Sequence, residues 1–185
     1  MATAMQTNVK RLNWGCGSWT PAGWINSDIK HGRGIDISAD IRQGLPLEDA
    51  SIDYIVSIHA LQEMPYEDLV PALQELRRVL KPGGVLRLAL ADLLKGVRAY
   101  ERGDREYFLV PDEDVKSLGA KLIVQLIWYG YSRTLFTAEF IEEILLKAGF
   151  QRVDHCAYQQ TCSQFPEIVE LDNRENESLF VEATK

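Results

Sequence analysis

Two glycines and one aspartate are the residues of this chain whose types and order most directly indicate chemistry. Gly15 and Gly17 follow a short apolar segment that ends at Asn13, and Asp28 closes the next apolar segment. Glycine has no Cβ, so a ligand can approach the backbone closely and the turn can adopt positive φ. A carboxylate at the end of a neighbouring strand can accept hydrogen bonds from two ribose hydroxyls. The pattern predicts a bound adenosine; the alternative is that the glycines only build a tight turn.

The same pattern lacks two features of a dinucleotide site. The dinucleotide fingerprint has a third glycine, and its acidic residue follows after about 20 residues. Here the segment from Asn13 to Gly17 has two glycines, and Asp28 comes earlier than that spacing requires. An NAD-dependent oxidoreductase is therefore disfavoured.

Short apolar segments that alternate with turn signals and amphipathic helices are expected to position these residues. This alternation is typical of an α/β fold in which a parallel sheet is covered on both faces. Two scaffold helices are predicted, one from Glu67 to Leu80 and one that is capped by Thr137 and ends at Gly149. Strands are predicted over residues 10–13, 23–28, 34–38, 52–58, 85–90, 151–158 and 179–183.

Length and charge restrict the classes of protein to consider. A chain of 185 residues with 46% hydrophobic content can bury one sizeable core, which predicts a single domain over residues 1–185. The formal net charge is −7, and no run of cations exceeds Arg77-Arg78. A nucleic-acid partner is therefore not expected.

The terminus, the apolar segments and the cysteines indicate a compartment. Residues 1–8 are polar and lack a secretory signal, and no apolar segment approaches the roughly 20 residues that span a bilayer. Cys16, Cys156 and Cys162 fit no zinc spacing, so no metal is expected. Free thiols are typical of a reducing compartment, and we expect a soluble cytoplasmic protein.

Further residues extend the opening pattern. The order of Asn13–Gly17, Asp28, Ala39–Ile41, the strand 52–58 and Lys81–Gly84 resembles that of class I S-adenosylmethionine-dependent methyltransferases. More narrowly, the chain resembles small type 11-like members whose first helix is very short, because only residues 18–23 separate the glycine turn from the second strand. The resemblance implies a Rossmann-like, mostly parallel twisted sheet of about seven strands, helices on both faces and a helical cap after strand 5.

The resemblance implies S-adenosylmethionine as the cofactor. It also implies that the Asp40 carboxylate accepts a hydrogen bond from the adenine amine and that Ile41 lies beside the ring. The alternative for Asp40 is that it caps the turn before Leu45-Pro46. The full set of residues implied for cofactor binding is Asn13, Trp14, Gly15, Cys16, Gly17, Asp28, Ile29, Asp40, Ile41, Ser57, Ile58 and His59.

Three residues are candidates for catalysis. His59 follows the strand 52–58, and a histidine titrates near neutral pH, which suits a general base; the alternative is a hydrogen-bonding role. Glu63 stands where relatives commonly have histidine and would face the acceptor. Arg133 is a cation that can bind a carboxylate or phosphate, or else pair with one of the many acidic residues of the chain.

Residues 93–136 are predicted to form the cap, and the resemblance places acceptor recognition there. Leu93 to Arg102 and Val115 to Tyr131 are predicted helices around an irregular charged segment. The aromatic cluster at Trp128–Tyr131 is either part of recognition, ordinary core or the contact of a homodimer. The leading hypothesis is O-methylation of a small acceptor such as a sugar or polysaccharide precursor; the alternative is a non-catalytic sensor or subunit that binds the cofactor.

Overall fold

The computed structural model describes residues 9–185, so the prediction that residues 1–8 carry no secretory signal lies outside the described residues. A single sheet forms the centre of the described chain. Its strands are β1 (Arg11–Trp14), β2 (Ile25–Asp28), β3 (Ile37–Ser38), β4 (Ile52–Ile58), β5 (Leu80–Ala91), β6 (Arg152–Cys156) and β7 (Ser178–Thr184).

The strand order places the predicted site at one edge of the sheet. The order is β3-β2-β1-β4-β5-β7-β6, and β7 alone of these strands runs opposite to the other six. The order reverses direction between β1 and β4, and ligands of open α/β sheets bind outside the carboxyl ends of the strands at such a point. The predicted α/β fold with a mostly parallel seven-stranded sheet is confirmed.

Four α-helices accompany the sheet: α1 (Tyr66–Val79), α2 (Leu93–Glu101), α3 (Leu118–Ile127) and α4 (Ala138–Lys147). Leu69, Leu73 and Leu76 of α1 are fully buried, as their spacing predicted. The Thr137 hydroxyl caps α4 by accepting a hydrogen bond from the Phe140 N–H at 3.3 Å. Helices α1 and α4 therefore bury their apolar sides against one face of the sheet, in the main core.

Several boundaries differ from prediction, and two of the differences change how an element is described. The residues Lys81–Gly84 lie inside β5, which already begins at Leu80 because it pairs there with Ile52 of β4. The predicted continuous helix from Val115 to Tyr131 is wrong at its end. Helix α3 stops at Ile127, and Trp128 and Tyr129 have left-handed φ values of 41° and 55°. This turn directs the successive aromatic rings away from the helix axis.

The other face of the sheet is covered by an unexpected segment. The connection from β1 to β2 spans only residues 15–24 and contains no helix, which agrees with the predicted loss of the first helix. The connection from β6 to β7, residues 157–177, covers this face and contains one 3-10 helix, Pro166–Val169. Trp24 and Tyr54 pack edge to face at 5.5 Å, and Phe165 of this connection lies 5.1 Å from the Tyr54 ring.

A buried ion-pair cluster anchors the same connection to the sheet. The Arg87 guanidinium on β5 is fully buried and donates to Asp172 at 2.5 and 2.7 Å and to Glu182 at 2.7 Å. It also donates to the carbonyls of Gln160 and Ala157. Buried charges need such partners, so residues 157–172 are held in one arrangement. Among residues 9–185, no helix has the length and apolar character needed to cross a bilayer.

Candidate functional site

The glycine turn lies at the carboxyl end of β1 and is held by β2. The N–H groups of Gly15 and Cys16 both donate to the Ser27 carbonyl, at 2.8 and 3.0 Å. Gly15 has a φ of +70°, and a Cβ at this position would lie 2.2 Å from the Cβ of Ala60. Glycine is required here because the turn is pressed against the segment that follows β4.

Asp28 braces this turn from the end of β2. Its Oδ2 accepts from the Gly17 N–H at 2.9 Å, and its Oδ1 accepts from the Lys30 N–H at 2.9 Å. Gly17 has a φ of +56°, and a Cβ built there would meet no atom within 4 Å. A carboxylate accepts about four hydrogen bonds, so Asp28 retains acceptor capacity for a ligand. The sequence indicated the ligand role of Asp28 but not its contact with the turn.

A cleft of about 740 Å³ opens beside the turn and is here named the cofactor cleft. Its volume lies in the range of roughly 300–1,000 Å³ that is common for small-molecule sites. Ser57 does not line it: its side chain is 1% exposed, and its Oγ has no hydrogen-bond partner within residues 9–185. The other residues predicted for cofactor binding line the cleft, namely Asn13, Trp14, Gly15, Cys16, Gly17, Asp28, Ile29, Asp40, Ile41, Ile58 and His59.

Asp40 lies in the cofactor cleft and is bound by its own neighbour. Its Oδ1 accepts from the Arg42 N–H at 3.0 Å, which caps the 3-10 turn Ile41–Gln43. The Arg42 guanidinium lies 2.6 Å from the other oxygen, and this hydrogen bond holds the pKa of Asp40 below its usual value. The capping alternative is confirmed, and the adenine contact stays a prediction that has to share the carboxylate with Arg42.

A smaller cavity of about 80 Å³ lies under residues 93–136 and is here named the cap cavity. A water needs about 10–15 Å³ of such volume, so the cavity has room for about six waters, comparable to one six-membered ring. His59, Glu63 and Arg174 line both this cavity and the cofactor cleft. The two spaces therefore meet at these three residues.

His59 stands at this junction in a strained backbone conformation. Its φ is +57°, its N–H donates to the Ala89 carbonyl at 2.8 Å, and its Nε2 lies 2.7 Å from the Ser178 hydroxyl. Burial, aided by the nearby Arg174 cation, lowers the pKa of His59 to about 3. The imidazole is neutral at pH 7, but a base with this pKa accepts a proton poorly. The hydrogen-bonding alternative fits these contacts better than base catalysis.

Glu63 follows on the 3-10 turn Leu61–Glu63. Glu63 is exposed, but partial desolvation in the cleft raises the pKa of its carboxyl above its usual value; the Lys30 cation opposes the rise, and the Asp28 carboxylate adds to it. A carboxylate with a raised pKa is a better proton acceptor at neutral pH. Of the three predicted catalytic residues, Glu63 thus has the electrostatics that suit a base.

Arg133 lines the cofactor cleft and does not line the cap cavity. Its backbone N–H donates to the Gln62 carbonyl at 2.8 Å, while its side chain is exposed. Within residues 9–185 no carboxylate lies within ion-pair distance of its guanidinium, so the predicted alternative of a local ion pair is wrong. The cation is available to an anionic group in the cleft.

The long connection before β7 supplies two residues that the sequence left open. Asp172 orders the connection by pairing with the distant Arg87. Arg174 instead extends over the site: its guanidinium lies 3.1 Å from Glu177 and 5.9 Å from the centre of the Trp128 ring. The buried anchor at Asp172 thus precedes a residue that lies at the junction of the two spaces.

Sequence reasoning missed several residues of the cap cavity. The Gln125 Oε1 accepts from the Leu109 N–H at 2.7 Å, which orients the amide toward the cavity. Burial, with the carboxylates of Glu177 and Asp92 nearby, raises the pKa of Tyr107 to about 12, so the phenol stays protonated. The one available signal was Gln125, an uncharged polar residue within a mostly apolar helix.

The aromatic cluster divides its rings between two surroundings. Trp128 lines the cap cavity, whereas Tyr131 is 61% exposed and lines neither that cavity nor the cofactor cleft. Tyr129 is also exposed, and its hydroxyl contacts Asp114. Two of the three rings therefore point away from the main core.

Comparison with known proteins supports the same family. Residues 28–88 match the methyltransferase domain family. Demethylmenaquinone methyltransferase of Staphylococcus haemolyticus is 28% identical over 125 residues, which is 67% of this chain and 51% of that protein. Sterol 4-C-methyltransferase of Caenorhabditis elegans is 35% identical over 72 residues, 39% of this chain and 20% of that protein. The chain thus spans about half the length, or less, of these curated relatives.

Solved structures share the fold at low sequence identity. A methyltransferase of Thermotoga maritima, described as a possible histamine N-methyltransferase, aligns with a TM-score of 0.58 at 21% identity, covering 95% of this chain and 82% of that one. At this level of identity the likeness concerns the fold. The strand order, the glycine turn with Asp28 and the domain match over residues 28–88 agree with the fold of the class I S-adenosylmethionine-dependent methyltransferases, which this chain resembles.

Proposed function

We propose that this protein transfers a methyl group from S-adenosylmethionine to a hydroxyl of a small polar acceptor, with residues 93–136 as the recognition cap. The observation that carries the proposal is the junction of two spaces. The cofactor cleft and the cap cavity share His59, Glu63 and Arg174. A cofactor in one space and an acceptor in the other would therefore meet beside these residues.

The residues of the cleft fit the cofactor. Asp28 has free acceptor capacity for ribose hydroxyls, and the space over Gly17 leaves room for a ligand beside the backbone. Ile41 and the remaining oxygen lone pairs of Asp40 would hold the adenine. When bound, the cofactor supplies a methyl group that is already activated by a sulfonium.

The chain itself has three tasks in such a transfer. It has to align the acceptor, exclude water and accept a proton from the hydroxyl. Trp128 and the cap cover the cavity, which supports the second task. Glu63 is the proposed proton acceptor because its pKa is raised, while His59 would hold Ser178 and shape the junction.

The size and lining of the cap cavity bear on the acceptor. The curated relatives are named for demethylmenaquinone and sterol substrates, which are larger than a single ring. The cavity has room for about six waters, and it is lined by Asp92, Tyr107, Gln125 and Glu177. A small hydroxylated ring, such as a sugar or a polysaccharide precursor, fits this volume and polarity better than a fused apolar ring system.

Two measurements test the proposal. Calorimetry should show binding of S-adenosylhomocysteine, and transfer of a labelled methyl group should occur with a hydroxylated metabolite from a panel. Glu63→Gln should lower the transfer rate by about 10²-fold, in the range of general base catalysis, and leave the affinity for S-adenosylhomocysteine within about threefold. Glu67→Gln, an exposed carboxylate on α1, is the matched control. No binding at millimolar S-adenosylhomocysteine would refute the proposal.

A second candidate is a sensor or subunit that binds the cofactor without transferring the methyl group. The low pKa of His59 favours it, because the histidine that stands at the junction is a weak base. This candidate predicts S-adenosylhomocysteine binding in calorimetry, no transfer to any member of the panel, and no effect of Glu63→Gln in either measurement.

A further inference from the structure

The outer side of α2 carries a cationic cleft that no part of the proposed reaction uses. Lys95, Arg98 and Arg102 recur at helical spacing and line a concave space of about 580 Å³. Tyr107 lines this space and the cap cavity as well. We infer that this cleft binds a phosphate group of the acceptor whose hydroxylated ring occupies the cap cavity, an inference that rests on the proposed function.

Of the three cations of this cleft, only Arg102 has a carboxylate within ion-pair distance among residues 9–185. The Lys95 Nζ donates to the carbonyls of Glu175 and Ser178 at 3.1 and 2.7 Å, so the ammonium is held in place by neutral partners. Arg98 is exposed and forms no ion pair within residues 9–185. Arg102 approaches Asp104 only to 3.8 Å. Their charge is therefore available to a ligand.

The local charge stands out against that of the whole molecule. The chain has a formal net charge of −7, which repels anions, so capture of a phosphate requires a local cluster of cations. The opposite wall of the cleft carries Asp104 and Glu106, which leaves three cations against two carboxylates. Two arginines beside a lysine suit phosphate because the guanidinium binds two oxygens at once.

The two spaces that Tyr107 lines differ in the chemistry that they offer. The inner side is lined by three carboxylates, Glu63, Asp92 and Glu177, and by one cation, Arg174, so it favours hydroxyl donors over a phosphate. On the outer side, the cations attract a phosphate. A hydroxylated ring that bears a phosphate or diphosphate would satisfy both sides at once, with its ring inside and its phosphate outside.

Pyrophosphate binding tests the outer site separately from methyl transfer. Calorimetry with inorganic pyrophosphate at low salt should give a Kd of about 1 mM or lower for the unmodified chain. The double substitution Arg98→Gln with Arg102→Gln should weaken binding at least tenfold, and Glu106→Gln should strengthen it by about threefold because a like charge is removed. Arg33→Gln, at an exposed arginine outside all three spaces, should change it by less than about twofold.

The results separate this inference from the proposed function. An unchanged affinity in the double variant, or no binding at about 10 mM pyrophosphate, overturns the phosphate site. S-adenosylhomocysteine binding is measured on the same samples and should be the same in all variants. If that ligand fails to bind while the arginine variants lose pyrophosphate, the proposed function fails and the anion site stands.

Discussion

The cofactor cleft and the cap cavity lie side by side, but their side chains are held over very different distances along the chain. In the cleft, Gly17 bonds to Asp28, eleven residues away, and Arg42 bonds to Asp40, two residues away. In the cap cavity and at its edge, Gln62 bonds to Ser132 and His59 to Ser178, across 70 and 119 residues. The first site is built by local motifs and the second by tertiary packing.

This difference indicates which substitutions should disturb each site. A local motif keeps its geometry as long as its two strands pair, so a substitution there should alter ligand binding and little else. A site assembled from distant segments depends on whatever anchors those segments. For the cap cavity, one anchor is the buried cluster of Arg87, Asp172 and Glu182, since Arg174 and Glu177 follow Asp172 directly.

The largest expected effect breaks that anchor. Asp172→Ala leaves the fully buried Arg87 with one carboxylate fewer, and removal of one partner of a buried pair costs about 3–5 kcal/mol. Urea unfolding should show this loss in the free energy of unfolding. Asp154→Ala, at the exposed pair with Arg152, should cost roughly 0–1 kcal/mol. Equal losses in the two variants would show that the cluster does not anchor the connection.

The next effect concerns the acid sensitivity of the junction. The pKa of His59 is about 3 in the folded chain, so between about pH 6.5 and 3 only the unfolded chain binds this proton. The free energy of unfolding should therefore fall as pH decreases through this range, by roughly 2–3 kcal/mol between pH 7 and 4.5 from this residue. His59→Asn removes that contribution, and asparagine tolerates the positive φ.

Unfolding measured at pH 7 and at pH 4.5 checks this expectation. The decrease should be smaller in His59→Asn than in the unmodified chain, whereas His31→Gln, at an exposed histidine without an ion pair among residues 9–185, should change it little. If His59→Asn keeps the full decrease, the imidazole takes up a proton in the folded chain. His59 would then again be a candidate general base.

A third prediction addresses the locally built site. Asp28→Ala should weaken S-adenosylhomocysteine binding by roughly 1.5–3 kcal/mol, the scale of hydrogen bonds to a charged group. Because Asp28 also braces Gly17, part of the loss reflects a less ordered turn. Gln125→Leu in the cap cavity should change this affinity by less than about 0.7 kcal/mol. An unchanged affinity in folded Asp28→Ala would mean that the ribose is held elsewhere.

The contrast between the sites also explains what could be predicted from the sequence. Asp28 and the glycine turn are recognisable because residue type, order and strand ends define them within one short segment. The fold followed from the alternation of apolar segments, and the strand Ile52–Ile58 was predicted to the residue. These features depend on local patterns that a single sequence contains.

The rest depends on packing that no local pattern records. Glu177 and Tyr107 come together only because the connection before β7 folds back over the sheet. The end of α3 was mispredicted because Trp128 and Tyr129 adopt left-handed φ values, which neither residue type favours. The sequence therefore left the role of the aromatic cluster open, whereas the structure shows that Trp128 lines the cavity and that Tyr131 is exposed.

The smallest expected effect compares these two rings directly. Trp128 lines the cap cavity beneath Arg174, so Trp128→Ala should lower kcat/KM for the true acceptor about tenfold, or about 1.4 kcal/mol. Tyr131 is exposed and lines neither space, so Tyr131→Ala should leave transfer within about twofold. Sedimentation of the same samples tests the predicted homodimer. If Tyr131→Ala lowers the oligomeric mass, the exposed ring is a subunit contact. If Tyr131→Ala lowers transfer while Trp128→Ala does not, the acceptor is recognised on the outer surface. The cap cavity then does not have its proposed role.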